Sequence, residues 1–180
     1  MAYDFIAELE RVGALKTGHF LLSSGRHSER YVEKFELLKD PLATARACEE
    51  LIRLLGDDAD VDLVAGPTTG GILLAYEVAR QLAVPAAYAE RASEGSHERE
   101  FKRGAVPGKG SRVLIVDDIL TTGGSVRATL HAVKRCEAEV VGVAVLVDRS
   151  DGSLDLGVPL LGLAVLEIDT WPPNEIPDWL

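Results

Sequence analysis

Cysteine is scarce. Cys48 and Cys136 are the only two, they stand far apart, and neither belongs to a Cys-x-x-Cys pair. That excludes a disulfide scaffold and a zinc ribbon, and suits two reduced core thiols in a reducing compartment. No apolar run approaches the roughly 18 residues a membrane span needs. The opening Met1-Ala2-Tyr3-Asp4 shows no basic segment followed by an apolar one, so neither an anchor nor a signal peptide is expected and the location reads as cytoplasmic. Positive charge is also short: 19 Lys and Arg face 29 Asp and Glu, a net charge of −10 that argues against nucleic-acid binding. No Ser-His-Asp or Cys-His arrangement is evident, so nucleophilic catalysis is not indicated.

What is present suffices for one domain: 180 residues, 47% of them hydrophobic, can bury a core without staples. The few cations are unevenly placed. Arg91, Arg99, Lys102, Arg103, Lys109 and Arg112 crowd one segment, whereas after Cys136 the only basic residue is Arg149, among nine acids. An acidic protein that handles a polyphosphate must gather positive charge locally.

The chain is organised around Arg112 to Arg127, R-V-L-I-V-D-D-I-L-T-T-G-G-S-V-R. Val113 to Val116 is an unbroken apolar run, the signature of a strand buried on both faces of a parallel sheet. Asp117 and Asp118 follow, then the turn Thr121-Thr122-Gly123-Gly124-Ser125. Val126, Leu130 and Val133 then recur at helical spacing, with Ser125 expected as the N-cap. Gly123 and Gly124 allow a tight bend whose N–H groups, with the helix dipole, make a phosphate the expected occupant. Two carboxylates at the strand end suit vicinal hydroxyls or a magnesium-bound water. Phosphate at one end and a diol nearby describe a ribose 5-phosphate.

Taken in order, Tyr3 to Leu15 predicts a helix, His19 to Ser28 a polar segment, and Tyr31 to Phe35 a strand. A helix is predicted over Pro41–Leu55, ended by Gly56. The strand Val61–Ala65 leads to a second glycine-rich turn, Gly66-Pro67-Thr68-Thr69-Gly70-Gly71, and a helix from Ile72 to Leu82. Val84–Glu90 reads as a strand, and Ala92–Gly110 is too long and polar for an ordinary connection, so it reads as a lid. Inside it, Gly104-x-x-x-Gly108-Lys109-Gly110-Ser111 echoes a P-loop but precedes a strand instead of following one, and is rejected. The apolar strand Val140–Val147 lies parallel to the central one across the intervening helix. Asp148 and Arg149 therefore emerge at the ligand-binding edge of an open α/β sheet. An arginine there suits a planar carboxylate, bound bidentately. Leu160–Ile168 makes a last strand before a Pro-rich tail.

The phrase D-D-I-L-T-T-G-G-S resembles the phosphoribosyl-diphosphate (PRPP) motif of the type I phosphoribosyltransferases. The opening L-L-S-S-G-R-H-S run resembles the hood of the orotate phosphoribosyltransferases within that family. The resemblance implies an α/β fold: a mostly parallel sheet flanked by helices on both faces, with a small N-terminal hood (about 1–40 plus the tail), a core (about 41–168) and a lid (about 91–110). It implies transfer of the phosphoribosyl group from PRPP to orotate, with Mg2+ held by PRPP and reached through water by Asp117 and Asp118, in a homodimer without nucleic-acid or membrane partners.

By position, PRPP would be held by Asp117, Asp118, Ile119, Leu120, Thr121, Thr122, Gly123, Gly124 and Ser125, by Thr68, Thr69 and Gly70, and by Arg91. Orotate would meet Thr121, Arg149, Tyr31 and Val32. Catalysis would draw on Asp117, Asp118, Arg91, His97, Lys102 and Arg103. The chain departs from the family at Ser23 and Gly70, each in place of a lysine, and at Ala92 and Gly95, where two lid lysines are usual. The loop at Gly70, in the family often a cis peptide, would then act through backbone and threonine hydroxyls alone, and Lys102 and Arg103 would stand in for the lid lysines. The tail lacks the cysteines of related short enzymes, so no metal site is expected there. Two alternatives stay open: a purine-base (xanthine or adenine) phosphoribosyltransferase, and a PRPP-binding regulator without turnover.

Overall fold

The computed structural model describes residues 3–22, 24–56, 59–150, 152 and 154–180. Helix α1 (Phe5–Arg11) starts at Asp4, whose side chain accepts from the Ala7 amide, and closes within seven residues. The helix expected to reach Leu15 stops early because Gly13 takes φ 73° and Leu15 opens a strand. That strand, β1 (Leu15–Leu21), pairs antiparallel with β2 (His27–Val32). Its polar, exposed sequence hid it from an apolar-pattern reading. Lys34 and Phe35, expected as strand, instead begin α2 (Lys34–Leu38), with the Glu33 carboxylate accepting from the Phe35 amide.

Helix α3 (Pro41–Leu55) keeps its expected bounds: Asp40 caps the Leu42 and Ala43 amides, Pro41 sits where no amide partner is needed, and Gly56 at φ 84° ends it. There follow β3 (Leu63–Pro67), α4 (Gly70–Leu82), β4 (Ala86–Arg91), a short β5 (Arg99–Glu100), β6 (Arg112–Leu120), α5 (Gly124–Arg135), β7 (Glu139–Asp148), β8 (Leu160–Val165) and β9 (Thr170–Trp171).

Six strands form the main sheet in the order β5-β4-β3-β6-β7-β8, all parallel except the β4–β5 pair. Strand β6 shows how one apolar run serves two cores. Leu114 and Val116 face Leu51, Leu74 and Val78 on one side of the sheet. Val113 and Ile115 face Val126, Leu130 and Val133 on the other. The second sheet, β1-β2-β9, brings the tail back onto the N-terminal hairpin. Ser28 is fully buried there and its hydroxyl bonds to the Asp169 carbonyl at 2.9 Å. No helix among the described residues is long and apolar enough to cross a membrane.

Candidate active site

The carboxyl ends of β3, β4, β6 and β7 share one edge, and the polar residues gather there. Strand β6 runs further than its apolar core suggests, so Asp117 and Asp118 lie within the strand and are buried. Successive strand residues point to opposite faces, and the two carboxylates part company accordingly. Asp117 lines a cavity of about 450 Å³ together with Arg91, His97, Arg99 and the bend from Thr121 to Ser125; Ile119 and Leu120 line it as well. Asp118 turns the other way, to Lys34, whose ammonium sits 2.8 Å from Oδ2 and 3.1 Å from Oδ1. Of the pair expected to share one face, only Asp117 lines this cavity. Burial, and then the neighbouring Asp118 charge, push the Asp117 carboxyl up to about 7, against the opposing pull of the Asp118 amide, Lys34 and Arg99.

The bend after β6 departs from expectation in one useful way. Gly123, not Ser125, is the N-cap, at φ 74° in the left-handed region, and no side chain caps the helix. A Cβ on Gly123 would lie 2.6 Å from Leu154. With no capping oxygen engaged, the first amides of α5 face the cavity as donors for an anion.

The turn after β3 is built differently. A Cβ on Gly66 would meet the Gly71 carbonyl oxygen at 2.1 Å, and one on Gly70 would meet Asp118 Oδ2 at 1.8 Å. The backbone here is packed against backbone and carboxylate, and the Thr68–Thr69 peptide is cis. Thr68 is joined to the cavity by Arg99, whose Nη1 donates to Thr68 Oγ1 at 3.0 Å. A cation thus reaches a loop expected to work through backbone and hydroxyls alone.

A second chamber, about 700 Å³, is lined by Phe20, Arg26, Tyr31, Thr121, Arg149 and Thr170 among others. Thr121 and Thr122 line both cavities, so the two adjoin at the bend. The Arg149 amide donates to the Leu120 carbonyl at 2.8 Å, which fixes this arginine beside the bend. Val32 does not join Tyr31 there: it is 5% exposed and packs below, with Lys34, Leu37 and Asp118. Strand alternation places only one of two neighbours on a given face.

In the lid segment, β5 folds back on β4, pairing Arg91 with Arg99. Arg91 and His97 line the same cavity as Asp117. Lys102 does not: its ammonium bonds to the carbonyls of Arg91 (3.1 Å) and Ala92 (2.7 Å), bracing the hairpin. Arg103 lies 3.6 Å from Glu90 with most of its side chain in solvent. Ser23 lies outside the described residues. Sequence reasoning missed Lys34 and Arg99. Each reaches its partner only through tertiary folding, and the one available hint was the crowding of cations around Arg99.

A phosphoribosyl transferase domain model matches residues 36–156. Among curated proteins, the orotate phosphoribosyltransferase of Methylobacterium sp. (strain 4-46) is 43% identical over 97% of this chain and 88% of that one. That of Caldicellulosiruptor bescii is also 43% identical, over 96% and 89%. Among solved structures, the orotate phosphoribosyltransferase of Aeropyrum pernix superposes with a TM-score of 0.78 at 32% identity, covering 91% of this chain and 94% of that one. With its glycine bend opening α5, its buried acidic pair and a match of this kind over nearly the whole chain, the chain belongs to the phosphoribosyltransferase family, among the orotate phosphoribosyltransferases.

Proposed function

We propose that the protein transfers the 5-phosphoribosyl group of PRPP to orotate, giving orotidine 5′-phosphate and pyrophosphate. One observation carries this reading: Thr121 and Thr122 line both the phosphate cavity with Asp117 and the neighbouring chamber with Arg149 and Tyr31. A sugar phosphate held at the bend would direct its C1 into that chamber, where Arg149 can take a planar carboxylate on two parallel N–H bonds. Tyr31, 37% exposed beside Phe20 with ring centroids 5.6 Å apart, offers a ring to the pyrimidine.

The chemistry asks little covalent work of the protein. The C1–O bond to pyrophosphate breaks, the bond from C1 to the ring nitrogen forms, and that nitrogen loses its proton. Rate comes from positioning and from charge placed at the leaving group. The α5 amides hold the 5-phosphate, Asp117 accepts from the ribose hydroxyls, and Asp118, fixed by Lys34, shapes the floor under Gly70. Arg91 and His97 face the leaving group from the lid hairpin, which shields the activated sugar from water.

Magnesium fits as an ion that arrives with the donor. Among the described residues no three His, Cys, Asp or Glu side chains converge on a metal position, and Asp117 would hold the ion through water. When bound, the ion would supply positive charge to offset the negative charge of the diphosphate. The reading also carries a cytoplasmic homodimer, checked by sedimentation.

Turnover of orotate, followed by its ultraviolet absorbance with PRPP and magnesium, tests the acceptor, with adenine and xanthine as competitors. The double variant Asp117→Asn, Asp118→Asn should fold and lose turnover; wild-type rates in it would falsify the assignment.

A further inference from the structure

Arg99 is 6% exposed, and its guanidinium makes hydrogen bonds to neutral oxygens. Nη1 is held firmly, by Ala89 O at 2.8 Å and Thr68 Oγ1 at 3.0 Å. Nη2 is held loosely, by Thr68 O at 3.3 Å and Ser125 Oγ at 3.4 Å, both long for such bonds. An arginine cannot discharge its burial by losing a proton, and a buried charge is costly without an opposite one. The carboxylate whose field reaches it, Asp117, lines the same cavity, but none of these hydrogen bonds goes to it. The site is thus short of negative charge at the point where its two anion-binding turns meet.

We propose that Arg99 is a binding and positioning residue for the diphosphate of the donor: Nη1 ties the Thr68 turn to β4, while Nη2 leaves its long contacts to take an anionic oxygen lying between Thr68 and Ser125. This rests on the phosphoribosyl-transfer reading of the same site. It explains why β5 turns back on β4 at all. The Arg91–Arg99 pairing delivers the side chain inward, and Arg135 fixes the Arg99 carbonyl from α5. The ligand class is a magnesium-bound diphosphate, free or attached to the sugar.

The test uses the full-length protein and magnesium pyrophosphate as the calorimetric probe, followed by steady-state kinetics. Arg99→Met keeps the bulk and removes the charge-assisted bond. Such a bond is worth roughly 1.5–3 kcal/mol, so pyrophosphate affinity and the KM for PRPP should worsen at least about tenfold. The KM for orotate should stay within about twofold, because the change lies on the other side of the bend. Arg99→Lys, which keeps the charge but not the fork, should recover part of the loss. A purely structural arginine would instead lower Tm while leaving pyrophosphate affinity of the folded protein unchanged, and that result overturns the proposal. Should the Met variant fail to fold, Lys carries the test alone: native pyrophosphate affinity in Arg99→Lys also overturns it. Failure of the acceptor assignment looks different, since a wild-type protein inert toward orotate would still titrate with pyrophosphate and still respond to Arg99.

Discussion

The two glycine-rich turns at the sheet edge look alike in sequence and work in opposite ways. After β3, glycine is required by crowding: Gly66 and Gly71 touch backbone to backbone, and Gly70 leaves room for the Asp118 carboxylate. After β6, crowding touches only Gly123. A Cβ on Gly124 would find just Thr122 Oγ1, at 3.8 Å. The first turn is a packed joint that borrows its positive charge from Arg99. The second is an open cradle of helix amides. A glycine-rich βα turn therefore says that the backbone comes close to something, and only the structure says whether that something is protein or ligand.

The contrast breaks hardest at Gly70. In Gly70→Ala the new methyl would sit 1.8 Å from Asp118 Oδ2, so the carboxylate must leave Lys34 or the turn must open. Overpacking of this kind costs about 1–3 kcal/mol, and turnover should fall by two orders of magnitude or more as the turn shifts away from Arg99 (roughly 10²-fold is the cost of a 1 Å misplacement). Near-native activity and Tm would show that the joint is looser than its geometry. Lys34→Met comes next. It strands a carboxylate whose side chain is 5% exposed, and since Lys34 itself is partly solvated the loss should be roughly 1–3 kcal/mol, below the range for fully buried pairs. Because both changes act through Asp118, the double variant should be less destabilised than the sum of the two. Strict additivity would show that Gly70 and Lys34 do not share that carboxylate.

Much of this was legible in the sequence, for a physical reason. The apolar run Val113–Val116, the acids after it and the Thr121–Ser125 bend are local patterns, and α3 carries both its caps within its own segment. What escaped depended on distance or on exposure. Lys34 meets Asp118 across 84 positions of chain, and Arg99 meets Thr68 and Ser125 only because β5 doubles back. Strand β1 is exposed along most of its length, so no apolar alternation marks it. Tyr31 and Val32 could have been separated by the two-residue period of a strand, which allows just one of them to face the chamber beside Arg149.

Asp117 sharpens the comparison by pH. Its carboxyl shifts from an ordinary 3.8 to about 7 in the fold. Below about pH 4 both folded and unfolded chains hold this proton, and its contribution to stability is fully present. Between about 4 and 7 the unfolded chain loses the proton first, so that contribution drains away as pH rises. In the proposed reading Asp117 accepts from the ribose hydroxyls as a carboxylate, so kcat/KM for PRPP should climb through the same window. Asp117→Asn should flatten the Tm slope between about pH 4 and 7 relative to wild type. Parallel Tm curves for the two proteins would place the titrating group elsewhere.

The open turn separates its two glycines, and the smallest effect of all belongs to Gly124. Gly123 sits at φ 74° against Leu154, so Gly123→Ala meets both left-handed strain and a clash, for about 1–3 kcal/mol. Gly124 has neither problem, and alanine at the first position of a helix gains up to about 1 kcal/mol of propensity over glycine. Gly124→Ala should therefore hold or slightly raise Tm, with the KM for PRPP changed less than about threefold, because the amide proposed to meet the phosphate remains while only a methyl is added beside it. A large rise in that KM, at native Tm, would mean that the ligand itself fills the space over Gly124. The cradle would then be as tightly fitted to phosphate as the Gly70 turn is to Asp118, and the two turns would differ in occupant alone.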